Sequence, residues 1–377
     1  MYSLSMAAPG SGGKEREGEG RPAELRPTPM GDSQPSPSLL LSALLLLAAS
    51  LLAACGAQEE PIAPTGTPSP SASPSPQVPT VSPTIVATIA VGSKPWDVAV
   101  NPDTNRVYVA NEASNDVSVI DEASDAVVAT IAVGQGPSSL AVNPETNRIY
   151  VANAWKDNVS VIDGASNSVV ATIPVGSKPW DVAVNPDTNR VYVANEASND
   201  VSVIDEATDA VVATIAVGQS PSSLAVNPET KRIYVTNEQT NDISVIDAAS
   251  DTVVATIAVG EGPTGVKVNP ETNRIYVANG GSDTMSVIDG ATDTVVTDVP
   301  VGQGPLAVGV DADTNRVYVA NSWSDDVSVM DGSTNRVVAT MSVGRTPWGV
   351  AVNTKTNRIY IANAWDSTIS VIDGTIH

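Results

Sequence analysis

Three observations predict an all-β fold, a seven-bladed β-propeller with four antiparallel strands per blade. A segment reading Asn101-Pro102-Asp103-Thr104-Asn105-Arg106-Val107-Tyr108-Val109-Ala110-Asn111 recurs from Asn143, Asn185, Asn227, Asn269, Asp311 and Asn353, always at an interval of 42 residues. Each unit is dense in Val, Ile and Ala and is cut by Asn, Asp, Gly and Pro turns, which suits a four-stranded blade better than a helical solenoid unit. The ends of the array complement each other: it opens on an orphan fourth strand and stops after a third.

Before the array lies a leader. Leu39 to Ala54 is a run of 16 apolar or small residues that ends at Cys55. It is shorter than the roughly 20 residues of a spanning helix. Its edge, Leu52-Ala53-Ala54-Cys55, resembles the lipobox of bacterial lipoproteins, which implies cleavage before Cys55 and a lipid on its sulfur. Residues 1–54 then form an N-terminal extension with a lipoprotein signal peptide. The cations Lys14, Arg16, Arg21 and Arg26 lie well upstream of the apolar run, and a start at Met30 would leave none, so the first codon stays open. Residues 55–83 follow as the lipidated Cys and a tether. Its eight prolines and many Ser and Thr favour extended polyproline II, with a reach of up to ~85 Å.

Residues 84–377 form the propeller. In the first unit the strand signals are Asp97–Asn101, Arg106–Asn111, Asp116–Asp121 and Val127–Val133. The last three are apolar enough to be buried on both faces. Asn-Pro-Asp-Thr-Asn is a hairpin signal: Pro102 presets φ, and Asn105 tolerates the left-handed region. Asp121 to Asp125 is a second Asx-rich turn. A Val-Gly-x-x-Pro sequence closes every unit. The orphan strand Ile85–Val91 is expected to join the final strand Ile369–Asp373 in blade seven, which removes the open edges of a linear array.

Composition narrows the function. The net charge is −23, and the array carries 35 acidic against 15 basic residues. A surface of that sign repels phosphate, which disfavours nucleic acid as a partner. The single Cys is Cys55 and the single His is His377, the last residue. Disulfides, Cys-based metal sites and Ser/His/Asp or Cys/His nucleophile chemistry are therefore not expected. Acidic residues of the top loops match no calcium loop. No metal or cofactor is expected.

The Tyr-Val-Ala-Asn segments, with Tyr-Val-Thr-Asn at Tyr234–Asn237, resemble the YVTN-type β-propeller repeat family of bacterial and archaeal surface proteins. The resemblance covers residues 84–377 and implies a secreted or surface-associated propeller. More distant seven-bladed relatives include lactonases, a streptogramin lyase and haem-d1 nitrite reductases, and the last two depend on His.

Unshared residues carry the functional signal. In a propeller of this order the fourth-to-first and second-to-third loops open on one face, the top. All six tryptophans fall there. Trp96, Trp180 and Trp348 follow the loop Pro, and Trp155, Trp323 and Trp365 sit in second-to-third loops. Four cations lie beside them in sequence: Lys94, Lys156, Lys178 and Arg345. Indoles beside cations make a platform for sugars, peptides or other flat groups, or else a lid over the gap between blades. Lys267 replaces the Ala or Gly of the other first strands and points to a channel ion pair with Asp97 or Asp181.

The expected protein is a lipid-anchored, extracytoplasmic propeller with a monomeric head, held to the membrane at Cys55. It acts as a binding or scaffold module that meets a carbohydrate or peptide through its Trp-bearing face. The alternatives are a purely structural envelope component or, more weakly, a propeller enzyme of lactonase, lyase or redox type. Residues 92–123 and 176–207 are identical, and copying of that kind suits display better than one asymmetric active site.

Overall fold

A computed structural model describes residues 83–375. The leader, Cys55, the tether up to Ser82, and His377 lie outside the described residues. Twenty-eight strands, β1 to β28, form seven four-stranded antiparallel sheets among them. Blade one comprises β2 (Pro95–Asn101), β3 (Arg106–Asn111), β4 (Asp116–Asp121) and β5 (Ala126–Ala132). Blades two to six repeat it at the 42-residue period. The expected closure is present: β1 (Thr84–Ala90) pairs antiparallel with β28 (Thr368–Asp373), beside β27 (Arg358–Asn363) and β26 (Pro347–Asn353).

The core lies between blades rather than within any one of them. Tyr108, Ala110, Val117, Val119 and Ile131 of blade one pack on Leu140, Ile149, Val151 and Ile162 of blade two. Blade seven meets blade one through an equivalent cluster, with Ile89 of β1 beside Tyr360, Ile369 and Val107. One Tyr per blade is wholly buried in this interface. A flat strand surface that no single blade can cover is thus buried by its neighbour, and the ring follows from repetition.

Two details differ from the sequence expectation. The first strand begins at Pro95 rather than Asp97, so Trp96 belongs to the strand. Pairing slips between Pro95 and Asp97, and a slip follows the loop Pro in every blade. Such a bulge re-aims a side chain at the sheet rim, here towards the channel mouth. The fourth strands are also not buried on both faces. In β5 only Ile131 is buried, and Val128 is 52% exposed. Blades splay apart with distance from the axis, so neighbouring fourth strands barely touch. A second bulge, opposite Val119 and Ile120, turns Val128 outward.

Buried polar latches join neighbouring blades on the bottom face. The Glu122 carboxylate accepts hydrogen bonds from Asn353 Nδ2 at 2.7 Å and Thr356 Oγ1 at 2.5 Å. The Arg358 guanidinium donates to the Glu122 carbonyl and pairs with Asp125. These contacts tie blade seven to blade one. Glu206 makes the same set with Asn143, Thr146 and Arg148 between blades three and two.

Candidate functional site: the channel and its indole-bearing mouth

Backbone contacts knit the top loops together. The Glu112 N–H donates to the Lys94 carbonyl within blade one. The Gly136 N–H reaches across to Asn115 Oδ1 at 2.9 Å. These loops hold the six tryptophans on one face, as expected, but in two groups.

Trp96, Trp180 and Trp348 converge. The ring centre of Trp96 lies 5.2 Å from that of Trp180 and 4.3 Å from that of Trp348, with planes tilted by 54° and 46°. These tilted contacts are favourable beyond the area they bury. Small residues permit the cluster. Blade two has Ser138 where blades one and three have Trp, and a Cβ at Gly349 would lie 2.7 Å from Asp97 Cα. Trp348 also donates from Nε1 to Ser322 Oγ at 3.3 Å. The three indoles line one side of the channel mouth, and Ser222, Thr264 and Leu306 line the other.

Trp155, Trp323 and Trp365 stand outside this cluster and are 59%, 74% and 68% exposed. Two of them pack against glycine. Gly136 (φ +63°) and Gly304 (φ +59°) face the rings of Trp155 and Trp323, and a Cβ on either would come within 2.8 Å of the indole. Blades one and three have Lys94 and Lys178 at that loop position and Ala at the outer Trp position.

The neighbouring cations are mostly committed elsewhere. Lys94 pairs with the buried Glu112 at 3.4 Å and lies 5.8 Å from the Trp96 ring centre. Lys178 pairs with Glu196 and lies 4.9 Å from the Trp180 ring centre. Arg345 turns to Asp366. Lys156 is exposed, and among the described residues no carboxylate lies within ion-pair distance of it.

Below the indoles the channel encloses about 570 Å³. A belt of hydrogen bonds runs round its wall. Asp97 accepts from the N–H groups of Val98 at 2.8 Å and Leu140 at 3.1 Å. Asp181 accepts from Val182 and Leu224, each at 2.8 Å, and from Ser223 Oγ at 2.7 Å. Ser139 Oγ stands between the two acids, 2.8 Å from Asp97 Oδ2 and 2.6 Å from Asp181 Oδ1. A hydroxyl has one proton to donate. Both contacts are satisfied together only when one of the two acids carries a proton. Burial, followed by the charge of Asp181, pushes the Asp97 carboxyl up to about 6, against the opposing pull of Lys267, Ser139 and the Leu140 N–H. Glu238, also on the cavity wall, is raised by burial and by Glu196.

Lys267 lies exposed to the channel, but the expected ion pair is not formed. Among the described residues no carboxylate comes within 4 Å of its ammonium, and Asp97 feels it only through the longer-range field. The oxygens of Asp97 and Asp181 are taken up by neighbouring inner strands, which leaves Lys267 unpaired. Sequence reasoning placed Glu238 among the solvated carboxylates of the top loops and did not find Ser139 or Ser223. The one sequence signal for the two serines is that Ser and Asp alternate after the Trp position in blades one to four. Among the described residues no group of three or more His, Cys, Asp or Glu is placed to hold a metal ion.

In the solved structure titled Kuenenia stuttgartiensis Hydrazine Synthase, one chain superposes with a TM-score of 0.70 at 20% identity, over 80% of this chain and 99% of that one. That likeness shows the fold alone. No curated protein sequence matches the chain. A family profile described as YNCE-like beta-propeller matches residues 72–187, 182–274 and 270–358, nearly the whole repeat array. With its seven closed blades and its Tyr-Val-Ala-Asn repeats, the chain belongs to the YNCE-like β-propeller family.

Proposed function

We propose that this propeller is a lipid-anchored, extracytoplasmic binding module whose top face holds a carbohydrate. The observation that carries the reading is the exposure of Trp155, Trp323 and Trp365 on the face where the other three indoles converge. Large exposed apolar side chains gathered on one face mark a contact surface. A bare indole resting on a glycine offers a flat, rigid plane of the kind that stacks on a pyranose ring.

A combined Trp155→Ala, Trp323→Ala and Trp365→Ala variant tests the contact surface. Blades one and three already have Ala113 and Ala197 at this position, so the fold is expected to survive, as judged by an unchanged melting curve. Binding to glycan arrays and isolated cell-wall polysaccharide should fall at least ten-fold. Undiminished glycan binding, or capture of peptides alone, would rule out the carbohydrate reading. The anchor is tested separately: Cys55→Ala should move the chain from the membrane to the soluble fraction.

A further inference from the structure

We infer that the central channel is a subsite for the acidic end of that carbohydrate, a uronic acid residue whose carboxylate meets Lys267 while its ring lies against the Trp96, Trp180 and Trp348 cluster. The inference rests on the proposed carbohydrate function and adds the charge and the depth of the bound group.

Around the channel mouth, cations and carboxylates largely neutralise one another. Lys94 and Lys178 have their glutamates, Arg345 has Asp366, and the Asp97 and Asp181 oxygens are filled by Ser139, Ser223 and strand N–H groups. Lys267 is different. Its ammonium has three donors and no carboxylate within ion-pair distance among the described residues. It also stands where Ala99, Ala141, Ala183, Ala225, Gly309 and Ala351 line the channel, so no packing role calls for a long cationic side chain there.

The cavity suits a ring with a charged tail. Its volume of about 570 Å³ lies in the range of small-ligand sites. Indoles form one side of its mouth, and the lower wall is Ala and Val with Lys267 on blade five. The Trp positions sit one residue after the loop Pro and Lys267 sits four after it, which places the Lys267 backbone about 10 Å further along the inner strand. A ligand must therefore be apolar-faced near the entrance and anionic further in. Asp97, Asp181 and Glu238 contribute an opposing field, so the site selects a single carboxylate over more highly charged anions. Protonation of Asp97 relieves part of that field.

The purified full chain is titrated with glucuronate and, as the uncharged control, glucose, following tryptophan fluorescence and calorimetric heat. Lys267→Ala restores the residue that five other blades carry and should fold normally. Glucuronate is expected to bind at least ten-fold more tightly than glucose, and Lys267→Ala is expected to abolish that preference. Equal binding of the two sugars, glucuronate affinity unchanged in Lys267→Ala, or no glucuronate binding to the wild type would each overturn the subsite. The outer-face triple variant separates the two ideas. Polysaccharide binding lost there with the glucuronate preference retained supports both, whereas polysaccharide binding that persists in Lys267→Ala with no glucuronate preference in the wild type removes the subsite alone.

Discussion

Asp97 couples the channel to pH. Its carboxyl titrates near 6 in the folded chain against an ordinary value of 3.8, so folding favours the protonated form. The stability it contributes is fully present below pH 3.8, declines as pH rises, and is lost once pH passes 6. Ser is the natural residue at the same position in blades two and four, so Asp97→Ser should fold. Urea midpoints measured at pH 5 and pH 7.5 should differ less in this variant than in the wild type. An unchanged difference would place the pH response elsewhere. The six indoles were assignable to the top face from loop order alone. Their division into two groups was not, because it depends on a strand bulge at Trp96 and on glycine beneath Trp155 and Trp323. The co-occurrence of Gly136 with Trp155 and of Gly304 with Trp323 was present in the sequence, but its meaning rests on backbone angles that residue types only suggest. The Lys267 ion pair failed for a similar reason: strand position placed the cation in the channel but could not show that neighbouring strands already held both acids.

At the scale of the strand, burial runs from the second and third strands outward to exposure in the fourth. Second- and third-strand bounds were legible to the residue, since Arg106–Asn111 and Asp116–Asp121 form as expected. The fourth strand misled because its Ala-Val-Val-Ala-Thr-Ile-Ala composition is as apolar as a core strand while its surroundings are not. Ile120 in β4 is fully buried between blades one and seven, so Ile120→Ala should cost about 2–5 kcal/mol in chemical denaturation. Val128→Thr, on the exposed bulge of β5, should stay within about 0.5 kcal/mol of the wild type. Comparable losses for the two would mean that the fourth strands are covered after all.

For the whole molecule, regular spacing made the architecture readable, because identical modules bury their faces only against one another. Closure differs from the other blades in drawing one sheet from both ends of the chain. It combines the β1–β28 pairing, the Ile89 cluster and the Glu122 latch to Asn353 and Thr356. A chain starting after Ala90 lacks the outer strand of blade seven, exposes the β28 edge, and should melt at lower temperature and self-associate in size-exclusion chromatography. A circular permutant with its new ends at Gln135 and a short turn joining Asp373 to Thr84 should elute as the wild type does and fold cooperatively. If the truncated chain matches the wild type, the clasp is dispensable.

The pairing that completes the ring also sets how the molecule yields under load. Thr84 lies opposite Asp373 at one end of the two-strand clasp, so tension drawn outward through the N-terminal side separates Thr84 from Asp373 first and then peels β1 one bridge at a time towards Ala90. Rupture of that kind needs far less force than sliding two strands past each other all at once. A head pulled from that side would give up this one strand first, as a mechanical fuse, before the load passes through residues 91–94 to β2 of blade one.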